Sequence, residues 1–130
     1  MKYLSNYIQD AQTTLLNQTG AFFAFSQEQF NEGKKEGAKY SAIGGGMICP
    51  KEKVDILMAG LDVIQQAGIK QDIADNGIEA IIARELSNHE AFYTYNLSDT
   101  IQALEDYDIK PEQVKEVFNK LKILAEYQQF

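Results

Sequence analysis

The sequence predicts an α+β fold: a helix-rich single globular domain, residues 1–130, with a small antiparallel sheet from its N-terminal half. Three observations lead there. Apolar residues recur at helical spacing in much of the second half, as in Val54, Leu57, Met58, Leu61 and Ile64. The first half instead holds two short β-prone pieces, "KYSAI" and "MIC", on either side of three consecutive glycines. Apolar content of 45%, with charges mixed along the chain, suits a packed core rather than disorder.

Residues 2–18 read as a helix with Leu4, Ile8 and Leu15 on one face beside Tyr3 and Tyr7, stopped at Gly20. "AFFAFS" has the length of a buried strand. Ser26 and Gln29 form a capping-box pattern for a short helix over 27–35, broken by Gly33 and closed by Gly37. The two β-prone pieces then make a hairpin or kinked strand pair. Pro50 is expected in the first turn of the next helix, where its missing N–H costs nothing. That helix starts near Val54 and ends at Gly68. Another covers 70–87 with Ile73, Ile78, Ile81, Ile82 and Leu86 inward, and Asn76-Gly77 leaves open whether it is one helix or two. "NHEAFYTYN" fits both strand and helix. Ser98 is expected to N-cap a helix near 99–107. Ile109 and Val114 take the positions of a hydrophobic staple around Pro111, and the last helix turns Val114, Val117, Phe118, Leu121 and Ala125 to one side.

The net charge of −7 opposes non-specific nucleic-acid binding. Its distribution is uneven. Residues 33–53 hold five lysines against two glutamates, a local +3, and the rest of the chain carries −10. No apolar run approaches the roughly 18 residues of a membrane span. Polar residues from Ser5 onward leave no signal-peptide core, and the lone Cys49 has no internal disulfide partner. These features lead to an expectation of a cytoplasmic protein.

The glycine joint is the first candidate site. Backbone N–H groups of Gly44, Gly45 and Gly46 ahead of a helix could cradle an anion, helped by Lys34, Lys35, Lys39, Lys51 and Lys53. "GGGMICPKEK" nevertheless lacks the spacing and hydroxyl of a P-loop, and a tight turn explains the glycines more simply. His89 is the only histidine; with Glu90 it opens like H-E-x-x-H, but position 93 is Tyr and no zinc ligand set follows. An alternative acid–base site would use Cys49, His89, Glu90 and Tyr93, with Arg84 and Glu85 nearby. A histidine that caps a helix and a buried, inert cysteine are the simpler readings. The aromatics of "AFFAF" and "AFYTY" are expected in the core. Acids such as Asp72, Asp75, Glu79 and Glu85 are expected on solvated helix faces, which can also occupy a positive channel built for nucleic acid. No metal or cofactor is called for.

The segments "GAFFAFSQEQF", "KKEGAKYSAIGGGMICPKE", "IADNGIEAIIARELSNHEAFYT" and "ALEDY" resemble a family of short proteins encoded by phages and mobile elements. The likeness spans roughly Gly20 to Tyr107, and "LSNHEAFYT" is its most specific phrase. The resemblance supplies no catalytic residues; it implies an accessory protein acting on host machinery, a CRISPR nuclease being the sharpest case. The leading expectation is thus a non-enzymatic protein that binds and inhibits or modulates a host nucleic-acid-processing or defence protein, ribonucleoproteins included. The alternative is a small anion- or nucleotide-binding protein or enzyme built on the glycine joint with His89 and Glu90.

Overall fold

A computed structural model describes the backbone of residues 1–128 and the side chains of residues 1–124. The architecture is α+β and helix-rich, with one three-stranded antiparallel sheet in the N-terminal half. Internal contacts divide the chain into two compact units, residues 2–68 and residues 69 onward with Met1.

In the N-terminal unit, α1 (Leu4–Thr19) ends where Gly20 takes a left-handed φ of +78°, which costs other residues about 1–2 kcal/mol. β1 follows as Phe22–Phe23 alone. Ser26 caps α2 (Gln27–Gly33): its Oγ accepts the Gln29 N–H at 3.1 Å, while Gln29 Oε1 accepts the Phe25 N–H at 2.7 Å. The helix stops at Gly33 rather than 35. There the Phe22 ring lies where a Cβ would be, joined by Phe30 and Tyr40 in an aromatic cluster.

β2 (Tyr40–Gly44) and β3 (Met47–Pro50) form the predicted hairpin, and the sheet order is β1-β3-β2. Tyr40 pairs with Pro50, Ser41 with Cys49 and Ala42 with Ile48; a bulge then brings Gly44 opposite Met47. Gly44, Gly45 and Gly46 close the turn with φ of +121°, +60° and +81°. Pro50 departs from the expectation. It is the last residue of β3, with an extended ψ of 133°, and the ladder continues past it as the Lys51 N–H donates to the Lys39 carbonyl at 2.9 Å. A 3₁₀ turn, Lys51–Lys53, then leads into α3 (Val54–Asn76).

Gly68 does not end that helix. It lies within α3, and the Ile8 side chain occupies the place of its missing Cβ. Gly60 likewise faces Leu15, so α1 and α3 run antiparallel in close contact. The centre of this unit is Ala21, Cys49 and Leu57, surrounded by Leu15, Leu16, Ile43, Met47, Val54 and Leu61. Burying each large aliphatic side chain contributes about 1.5–3 kcal/mol. Met58 is half exposed despite its place in the helical pattern. The expected buried strand at "AFFAFS" is a two-residue edge strand, and Phe23 and Phe25 are exposed.

In the C-terminal unit Gly77, at φ +81°, divides 70–87 into the end of α3 and a separate α4 (Ile78–Asn88). "NHEAFYTYN" is helical: α5 (Ala91–Thr94) is bracketed by Glu90 and Tyr95 at φ +56° and +59°. α6 (Ser98–Ala103) is shorter than expected and contains Ser98, whose N–H donates to Asn96 Oδ1 at 2.9 Å; Leu97 is its cap. A 3₁₀ turn, Glu105–Tyr107, precedes α7 (Pro111–Gln128). Ile109 and Val114 are both buried, as a staple requires, and Lys110 N–H donates to Gln113 Oε1 at 2.8 Å. Ile81, Ile82 and Leu86 of α4 and Val117 and Phe118 of α7 are buried with them. Phe92 stacks on Phe118 at 5.4 Å, whereas Tyr93 and Tyr95 are largely exposed, against the expectation of core packing. The side chain of Ala125 lies outside the described residues.

Candidate interaction surfaces

The hairpin separates the two halves of the predicted anion site. Lys39 and Lys51 sit at its open end, while Gly44–Gly46 form its tip, four to five strand residues or about 15 Å away. The glycines precede a strand, not a helix, so no helix N-terminus adds to their N–H groups. Two adjoining hollows of about 370 and 290 Å³ share Ala38, Pro50 and Glu52 at the open end. Lys39 and Lys51 line the first; Lys35 and Lys53 line the second. Among the described residues none of these four lysines forms an ion pair. Lys34 stands apart, its Nζ 5.7 Å from the centre of the Phe30 ring.

At the tip, the Ala24 N–H donates to the Gly46 carbonyl at 2.8 Å and extends the pairing beyond β1. Phe25 then folds over Gly46, leaving no room for a Cβ. Its ring stacks with Phe23 at 6.3 Å and 5°, and both remain at least half exposed.

The residues of the alternative site are divided between the two units. Cys49 belongs to the N-terminal unit and His89 to the C-terminal one. Cys49 is fully buried, its Sγ 3.4 Å from the Pro50 carbonyl, and burial pushes its thiol pKa up. That is the opposite of an activated nucleophile. The His89 N–H caps α4 at the Glu85 carbonyl, 3.0 Å, and His89 Nε2 lies 3.5 Å from Glu85 Oε2. Glu85, not Glu90, is therefore the carboxylate beside the ring. Tyr93 is 91% exposed.

Sequence reasoning missed a buried network. Asp72 is not on a solvated face but fully buried, and it accepts Arg84 Nη1 and Nη2 at 2.9 Å each. The Tyr107 hydroxyl and Asn76 Nδ2 donate to the same carboxylate. Arg84 Nε continues to Glu85 Oε1 at 3.0 Å. Burial alone would raise the Asp72 pKa; hydrogen bonds from Arg84, Tyr107 and Asn76, with the guanidinium charge, outweigh it and hold the group below 3.8. Burial, then the hydrogen bond to Asp72, pushes Tyr107 well above its ordinary 10.0. The network thus ties α3, α4 and the 105–107 turn together. Its faint sequence signal is position: Asp72 lies between Ile69 and Ile73, and Arg84 between Ile81 and Leu86, on apolar helix faces.

Among the described residues no group of three or more His, Cys, Asp or Glu side chains gathers as a metal site, and no helix is long and apolar enough to cross a membrane. No curated protein and no solved structure matches the chain. A family model does, over residues 4–129, and the chain belongs to that family: a family of unknown function, DUF7659.

Proposed function

We propose that this protein is a non-enzymatic accessory factor, of phage or mobile-element type, that binds and modulates a host nucleic-acid-processing or defence protein. A CRISPR nuclease is the sharpest candidate. The carrying observation is the segregation of charge. Residues 69–130 hold six Lys and Arg against twelve Asp and Glu, so −6 of the net −7 lies in that half. Asp99, Glu105, Asp106, Glu112 and Glu116 there are exposed, and none forms an ion pair among the described residues. Such a face suits the positive channel of a protein built to hold nucleic acid, because opposite potentials steer encounter and fix register. The lysines at the hairpin base, which form no ion pair among the described residues, supply a second contact of opposite sign.

The test is nuclease or interference activity of candidate effectors with and without the protein, beside a direct binding measurement. The reading expects a loss of activity that Glu105→Gln with Asp106→Asn and Glu112→Gln relieves, and binding that weakens as salt is raised. Unchanged activity across candidate effectors, with no direct binding, would overturn it.

A further inference from the structure

We propose that the groove between α1 and α3 is a second docking site, which receives an amphipathic helix with a basic flank from a partner protein. α3 is apolar on more than the face it buries. Leu57 and Leu61 turn toward the core and Ile64 borders the groove, yet Ile56 and Val63, one heptad apart on the other side, are 54% and 67% exposed. Ala59 lies between them, also exposed. A helix that is apolar beyond its buried stripe is expected to be covered there as well.

The neighbouring wall is α1. Ala11, Thr14 and Leu15 face Ala59, Gly60 and Val63 across a hollow of about 480 Å³. Small residues on both walls let a third helix approach closely. The glycine contact sets the floor, since Gly60 admits Leu15 where a Cβ would stand 2.7 Å from it.

Charge selects the occupant. Over Leu4–Thr19 and 54–68 the charged residues are Asp10, Asp55 and Asp62 alone, all acidic. The nearest cations in sequence are Lys2, Lys53 and Lys70, outside these spans, and Lys2 Nζ folds back over the Tyr7 ring at 5.3 Å, near the N-terminal end of α1. A helix with aliphatic residues at i, i+3 and i+7 and Lys or Arg on its flanks therefore fits the walls and their charge. A second copy of this surface would set aspartates against aspartates, which opposes self-association. This site does not depend on the acidic C-terminal face and is tested apart from it.

The probe is a labelled Leu/Ala/Lys amphipathic helical peptide, titrated into the full chain by fluorescence anisotropy beside a counterpart with Glu in place of Lys. The expected result is saturable binding of the basic peptide, at least tenfold tighter than the acidic one. Val63→Ser is expected to weaken it about tenfold by removing an apolar anchor. Asp55→Asn with Asp62→Asn is expected to narrow the gap between the two peptides. Val63 is exposed, so its variant keeps the fold; Ala59→Gln, which fills the groove from another position, repeats the test. Equal binding of the two peptides would overturn the proposal, as would basic-peptide binding indifferent to Val63→Ser and Ala59→Gln. Self-association of the wild type that Val63→Ser abolishes would overturn it too, assigning the groove to a second copy.

Discussion

Arg84→Met is expected to destabilise the protein by about 3–5 kcal/mol, because it strands a buried carboxylate. Asp72 is wholly inaccessible and takes two 2.9 Å hydrogen bonds from the guanidinium. With Arg84 gone, Tyr107 and Asn76 remain as neutral donors to it. The Coulomb attraction between such charges, about 4 kcal/mol at 4 Å and an effective dielectric of 20, disappears while the desolvation cost stays. Against a typical total stability of about 5–15 kcal/mol the loss is large. The converse substitution, Asp72→Leu, removes the bidentate partner of Arg84 but leaves its contact to Glu85 Oε1 at 3.0 Å, so it is expected to cost less than Arg84→Met. The double variant is expected to recover most of the loss, since an apolar pair of similar volume carries no buried charge.

Urea unfolding followed by far-ultraviolet circular dichroism, arranged as a double-mutant cycle, measures all three. The pH dependence adds a sign. The folded Asp72 pKa lies below 3.8, so its contribution is complete above that value and fades as pH falls through the lower folded value. The gap between wild type and Arg84→Met is therefore expected to narrow in acid. Single substitutions costing under ~1 kcal/mol, or a double variant costing their sum, would refute this account.

Gly68→Ala is expected to destabilise even though alanine favours a helix by roughly 0.8–1 kcal/mol, because Ile8 fills the space; Gly60→Ala, which meets only the flexible end of Leu15, is expected near neutral in the same thermal melts. Gly46→Val is expected to cost more than ~1 kcal/mol, combining φ +81° with a clash on Phe25, whereas Gly45→Asn, in open space at φ +60°, is expected to cost less. Lys51→Glu with Lys53→Glu is expected to leave the melting temperature nearly unchanged, since exposed charges contribute little stability. If the hairpin base is a contact surface, the same variant loses partner binding in a pull-down; unchanged binding would confine recognition to other faces.

Local chemistry made much of this fold legible. Ser26 and Gln29 announce the start of α2, Gly20 the end of α1, and Pro111 between Ile109 and Val114 the start of α7, because each acts on backbone groups a few residues away. The glycine triplet announced a turn for the same reason. Periodicity likewise exposed the helical faces of α3, α4 and α7. Tertiary structure decided what local chemistry could not. Gly68 reads as a stop in isolation, yet close contact with Ile8 makes it part of a continuous helix. Pro50 suits a helix start, but pairing with Tyr40 places it in a strand. Asp72 and Arg84, twelve residues apart on different helices, look like solvated charges until the break at Gly77 lets α4 face α3 and brings them to 2.9 Å. The lysines and glycines, neighbours along the chain, are parted because a hairpin sends its tip and its base to opposite ends. A side chain's partners depend on which distant surfaces the fold presses together, and burial free energy summed over the whole core settles that choice.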